Sequence, residues 1–353
     1  MRTTRCILII ALVAWVFVFS AAVGSAAGKP TTVAELAMYK GTDRQQILEA
    51  GAKKEGKLIF YTTGILKQSV RPIVNAFQKK YPYIKVQIWR AGTRRLVPKV
   101  IEEYKAGRHV VDVIEPTQSA KIVLAENQIL RAFYSPNAAY IEEGAYEEVP
   151  GGGYLWVGHY QSGIGLGYNT KLISKEKLPK TYQELLDPKW RGKIPITSSN
   201  TSVNWMGTML VTHGEEFVKQ MAKQDFIVHS ISGRALLDLI IAGEYEFSPT
   251  CFNSHVSKSK GKEAAIDWMP LEPVHTLIGM ITLPKNPPHP HASLLFIDFD
   301  LTKQAGEIYK ANGYLSPRKD VPGESEYKKH YGARSSEEVR KWQKLFSILF
   351  TKK

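Results

Sequence analysis

Apolar and polar positions along this chain follow two periods that take turns. Lys57–Thr63 is dense in β formers, and Ile84–Trp89 alternates with period two, which predicts two strands. Between them Val70, Ile73, Val74, Phe77 and Tyr81 share one helical face, with Pro72 tolerated only in the first turn. Leu96, Val100, Ile101 and Tyr104 form the buried stripe of a second helix that Gly107 ends. Val110–Ile114 reads as a third strand, followed by a helix near Thr117–Asn127. The β-α-β-α-β order predicts an α/β fold with a parallel sheet and helices on its faces.

From Tyr154 to Tyr168 the chain becomes aromatic and glycine-rich, with Gly158, Gly163, Gly165 and Gly167 in strand-like sequence. Such glycines mark bends or close backbone approach, and the segment is expected to cross from one half of the molecule to the other. The alternation then resumes. Thr181-Tyr-Gln-Glu184 is a capping box for a short helix stopped by Pro188. Strands are expected at Lys193–Thr197, Ile227–His229, Tyr245–Ser248 and Thr276–Thr282. Helices are expected from about Thr201, over Ser232–Ala242, from about His291 to Thr302, on through Tyr309, and over Ser335–Leu349.

The first twenty-seven residues change the picture. Arg2 and Arg5 precede an apolar run from Cys6 to Phe19, and small residues follow up to Ala27. That is the build of a secretory signal peptide, with cleavage expected after Ala26 or Ala27. The apolar run would rise only about 21 Å as a helix, short of the ~30 Å hydrocarbon core. The chain carries 47 Lys+Arg against 33 Asp+Glu, a charge of +14. Cleavage would leave 45 basic against 33 acidic residues, or +12. That surplus fits anionic ligands or an acidic partner surface, and fits plain solubility equally. Export and the lack of any nucleic-acid motif argue against nucleic acid. Of two cysteines only Cys251 would remain, so neither a disulfide nor a Cys₄ zinc site is expected. The expected location is the periplasm.

Four segments then coincide in order. They are Thr181-Tyr-Gln-Glu-Leu-Leu-Asp-Pro-Lys-Trp-Arg-Gly-Lys-Ile194, Ser232 to Glu244, Asn286 to Phe299, and Asn312-Gly-Tyr-Leu-Ser-Pro317. Together, behind a signal peptide, they resemble the ferric-ion-type periplasmic solute-binding proteins of ABC importers. The resemblance implies a two-lobed type 2 periplasmic-binding fold with discontinuous lobes joined by crossing strands. Residues 28–161 with 275–353 would form one lobe and 162–274 the other. It also implies hinge closure over one small solute, delivery to membrane permease subunits, a monomer, no cofactor and no catalysis.

In open α/β sheets ligands sit beyond the carboxyl ends of the strands, where helix N-termini offer free N–H groups. Candidate solute contacts are therefore Thr62 and Thr63, Arg90, Glu115 and Thr117, Tyr160, then Ser198, Ser199 and Asn200, and Cys251, Phe252 and Asn253. The threonines and serines serve an anion or simply cap helices. Arg90 either grips a carboxylate or is a solvated edge residue, and Glu115 either binds a cation or neutralises Arg90. The resemblance places Cys251 and Phe252 where iron-binding relatives carry adjacent tyrosines. A thiol and a phenyl ring are poor donors for a hard trivalent ion, so an organic anion is the favoured solute and a ferric chelate the alternative. His289-Pro-His291 lacks further ligands for zinc. No nucleophile elbow, Walker loop or His-Glu-x-x-His is present to carry an enzyme reaction. The rivals to import are a secreted enzyme on a similar fold and a module that presents solute to a membrane sensor.

Overall fold

The computed structural model describes residues 29–321, 323 and 327–351, so the expected signal peptide lies outside the described residues. Strand Lys57–Thr62 sits in the middle of a three-stranded parallel sheet, between Lys85–Arg90 and Val113–Glu115. Its pleat sends Leu58 and Phe60 into one core and Ile59 and Tyr61 into another, so helices cover both faces. Two helices that periodicity did not reveal, Val33–Met38 and Arg44–Glu55, precede it. Arg44 is buried and bonds Asp298 at 3.1 Å, an ion pair in place of a wide apolar stripe.

The predicted crossing segment is one strand, Tyr154–Asn169, sixteen residues long. Val274–Ile281 runs antiparallel beside it from Ile281 opposite Val157 to His275 opposite Ile164. Its first part puts Trp156, Val157 and Tyr160 into the N-terminal core, and its last part puts Ile164, Leu166 and Tyr168 into a second core. Gly165 and Gly167 meet the expectation of close approach: a Cβ at Gly167 would lie 2.7 Å from that of Cys251. Phe247–Phe252 and Ile266–Met269 pair with the far end of the same strand.

Several expected boundaries shift. The capping bond of Thr181 to Glu184 N–H forms, but it opens a single 3-10 turn, Gln183–Leu186, because Pro188 follows so soon. The strand expected at Tyr245–Ser248 is Phe247–Phe252, and the helix expected from His291 is Pro290–Asp300.

Residues 275–353 do not pack as one block with the N-terminal core. The C-terminal helix Ser336–Phe346 delivers Trp342 and Phe346 to the second core, beside Trp205 and Met206. Gly207, in helix Asn200–His213, makes room: a Cβ there would fall 2.1 Å from the Trp342 ring. The other side of this connection reaches the N-terminal half. Gln118 donates to the Ala333 carbonyl at 3.0 Å, and Ser336 to Glu126 at 2.8 Å. The C-terminal segment therefore ties both halves together a second time, independently of the crossing strands.

Candidate functional site

A cavity of about 230 Å³ opens between the two cores. The loops after the first and third parallel strands give it Thr63, Gly64, Pro116 and Thr117. The crossing strands give Tyr160, Ser162 and His275 through Gly279, and the opposite half gives Asn200, Thr201, Phe252 and Ser254. Tyr331–Ala333 and Trp342 close it from the C-terminal segment.

Three helices start at this wall. Gln118–Glu126 is capped by Thr117, whose hydroxyl accepts from Ala120 N–H at 3.3 Å. Asn200–His213 is capped by Ser199, which accepts from Thr201 N–H at 3.3 Å. Asn253–Lys260 starts directly after Phe252. Each start carries the partial positive charge of a helix N-terminus, and in the third the Ser162 hydroxyl accepts from the Ser254 N–H at 3.4 Å. Among the described residues no Asp, Glu, Lys or Arg lines the cavity; the polar groups that face it are helix starts, hydroxyls, amides and the rings of His255 and His275.

The acid sits behind the wall. Glu115 is 2% exposed and accepts from the Tyr160 hydroxyl at 2.8 Å and from Thr62. Burial pushes its pKa up, while His159 and these hydrogen bonds pull the other way. His159 lies between two carboxylates, bonded through Nδ1 to Asp300, with Nε2 3.9 Å from Glu115. Burial alone would lower the His159 pKa, but Asp300 and then Glu115 more than offset this and the net shift is upward. Tyr309 donates to the second Asp300 oxygen at 2.8 Å.

Of the residues expected from sequence, Thr63, Thr117, Tyr160, Asn200 and Phe252 meet in the cavity wall. The others do not. Thr62 is fully buried and holds Glu115 and the Gly64 N–H, the latter at 2.8 Å. Glu115 neither faces the solute space nor pairs with Arg90. Arg90 is exposed and donates to the Gly64 carbonyl at 3.3 Å, so it braces a wall loop from outside. Ser198 is exposed, and Ser199 is spent on capping. Asn253 accepts from Ser162 at 2.8 Å and Gly163 N–H at 2.9 Å, which locks its helix to the crossing strand. Cys251 points into a small core with Leu237, Ile240 and Val256, where burial pushes its thiol up to about 12. A thiol reagent added to native protein is expected to leave Cys251 unmodified and to react fully only after unfolding. Rapid labelling of the folded protein would mean that Cys251 reaches the cavity after all.

Residues that the sequence reading did not single out include His275, Tyr314, Tyr331 and Trp342. Tyr314 lay within a quoted motif, Asn312–Pro317, but nothing local distinguished it from a core ring. Tyr331 donates to Glu142 at 2.7 Å, and burial followed by Glu142 keeps its proton on. Burial and nearby acids raise the pKa of each cavity tyrosine, Tyr160, Tyr314 and Tyr331, so all three are neutral phenols without a ligand. Among the described residues no group of three or more His, Cys, Asp or Glu is placed to hold a metal ion. His289 and His291 are separately engaged, by Asp112 at 2.8 Å and Glu55 at 2.7 Å.

The sequence pattern of the bacterial extracellular solute-binding protein family matches residues 72–334. Iron uptake protein A1 of Synechocystis sp. is 23% identical over 253 residues, covering 66% of this chain and 68% of that one. The Trichodesmium protein IdiA (FutA), solved with iron and citrate ligands, superposes with a TM-score of 0.68 at 18% identity, over 84% of this chain and 100% of its own. AfuA from Actinobacillus pleuropneumoniae, solved with exogenous fructose-6-phosphate bound, superposes with a TM-score of 0.66 at 21% identity, over 84% of this chain and 99% of its own. Among the described residues no helix is long and apolar enough to cross a membrane. The crossing strands, the cavity between two α/β cores and the family match lead to one conclusion: this chain belongs to the bacterial extracellular solute-binding proteins, has the type 2 periplasmic-binding fold, and is a solute-binding component of an ABC importer.

Proposed function

We propose that the solute is a small organic oxyanion, a carboxylate or phosphate ester, bound without any cationic side chain. The observation that supports this reading is the wall itself: three helix starts, several hydroxyls and amides, and, among the described residues, no acid in the lining. The basic surplus of the chain acts at longer range, raising the local concentration of anions. Two lobes close over the solute and release it unaltered to permease subunits in the inner membrane. One lobe comprises residues 28–161 and the return from 275 to about 330; the other comprises 162–274 with the C-terminal helix. The mature protein is a periplasmic monomer, exported through a cleaved signal peptide.

A ferric chelate is the second reading. The Trichodesmium structure carries iron together with citrate. Here a chelate would present its own oxygens to the same helix starts, since among the described residues no group of three or more His, Cys, Asp or Glu is placed to hold a bare ion. Thermal melting of the mature protein with citrate, inorganic phosphate, glycerol 3-phosphate, fructose 6-phosphate and ferric citrate separates the readings. A ligand at 100 times its Kd adds about 2.7 kcal/mol to the native state. A shift with one or more iron-free organic anions is expected. A shift with ferric citrate alone would install the second reading, and no shift with any of them would overturn the first.

A further inference from the structure

One cavity residue carries a polar atom that the fold leaves unused. His275 is 4% exposed, yet it lines the cavity from strand Val274–Ile281. Its Nδ1 lies 3.2 Å from the Thr208 hydroxyl. Among the described residues its Nε2 has no hydrogen-bond partner, and it is not among the atoms sealed from solvent without one. An unpaired nitrogen that is not sealed off, on a residue that faces the cavity, opens into the cavity.

The neighbours of Thr208 fix which ring nitrogen bears the proton. Thr208 is fully buried in helix Asn200–His213 and has one hydroxyl proton to give. Two acceptors compete for it besides His275. They are the Asn204 carbonyl at 3.2 Å and Nδ1 of His330 at 3.1 Å. His330 Nδ1 already accepts the Gly332 N–H at 3.3 Å, so it carries a lone pair. With the single Nδ1 lone pair of His330 taken by Gly332, the arrangement that satisfies most groups sends the Thr208 proton to the Asn204 carbonyl and makes His275 Nδ1 the donor to Thr208 Oγ1. Nε2 is then a bare lone pair. Burial followed by the neighbouring His330 holds the His275 pKa down at about 3, so the ring stays neutral.

We infer that His275 is a specificity-determining contact whose Nε2 accepts a hydrogen bond from a hydroxyl or amine of the solute, so that the preferred guest is a hydroxylated organic anion. The anionic group sits at the helix starts and the donor group at His275. The inference rests on the oxyanion reading above and refines it. An analogue lacking the hydroxyl leaves Nε2 unpaired in a closed cavity, which is the situation in which a binding site discriminates most sharply.

Matched probe pairs test this by titration calorimetry on the mature protein. Citrate is compared with tricarballylate, and glycerol 3-phosphate with propyl phosphate; each pair keeps the anion and removes hydroxyl. The hydroxylated member of at least one pair is expected to bind ten-fold or more tightly to the wild type. In His275→Phe that ratio is expected to fall to within about two-fold, and in His275→Gln, which keeps an acceptor, to stay between the two. Thr208→Val, which touches only the tautomer-setting partner, should also lower the ratio. Long-range ¹⁵N–¹H NMR of the wild type supplies a readout independent of any ligand: His275 Nδ1 should be the protonated nitrogen and Nε2 the pyridine-like one. The reverse tautomer, equal binding within both pairs, or a ratio that survives His275→Phe would each overturn the inference while leaving the oxyanion reading intact. Binding by none of the four probes would overturn the inference, and the melting panel above then decides the oxyanion reading separately.

Discussion

Asp300→Ala is expected to cost the fold about 3–5 kcal/mol, the range for stripping one partner from a buried ion pair. Asp300 is 2% exposed and His159 is 3% exposed, so water cannot replace what is lost. The substitution leaves His159 Nδ1 and the Tyr309 hydroxyl without their carboxylate, and leaves Glu115 as the nearest acid. The pH dependence carries the signature of the mechanism. The folded pKa of His159 is raised, so its contribution is complete below the unfolded value of about 6.5 and fades as pH rises through the folded one. The gap between wild type and Asp300→Ala in urea melts should therefore be widest near pH 6 and shrink in alkali. A gap under about 1 kcal/mol, typical of a surface change, would mean that the cluster is not the buried pair described. A gap that stays the same at every pH would mean that His159 is neutral throughout.

Trp342→Ala is expected to be of similar size, about 3–5 kcal/mol, because it empties the space of a fully buried indole. What distinguishes it is its coupling to Gly207. Gly207→Ala alone forces a methyl into the indole ring and should cost about 1–3 kcal/mol, as overpacking does. With Trp342 already truncated, the same methyl enters vacant space and replaces a mid-helix glycine, a change worth up to about 1 kcal/mol of stability. Gly207→Ala should thus change sign between the two backgrounds. Additive costs in a double-mutant cycle would show that the two side chains do not meet.

Local pattern carried much of the architecture. The Val70–Tyr81 stripe and the alternation of Ile84–Trp89 formed as read, because each buries one face regardless of what lies opposite. Asn200 and Phe252 were legible as cavity-wall positions because strand ends and helix starts face the cleft in this kind of sheet. The helix Arg44–Glu55 was not legible, since its buried Arg44 answers to Asp298, more than two hundred residues away. Separation in sequence also hid the assembly of Glu115, His159 and Asp300, which come from three different parts of the chain. An amphipathic segment such as Ser336–Phe346 tells which face must be covered but not by whom. That choice fell to Gly207, whose missing side chain is conspicuous only once Trp342 is seen against it. His275 was passed over for a related reason: a histidine in a strand becomes chemically distinctive only through Thr208 and His330, which come from other elements.

The tie made by the C-terminal segment also sets the order in which the cavity can come into being. The ribosome adds residues 331–350 after every other described part of the wall. A nascent chain shorter than this holds the strands, the helix starts and His275, but lacks Tyr331 and Trp342, the plug that fits Gly207. Until those last residues arrive the cleft is open on one side, so a solute captured early would find no back wall to hold it.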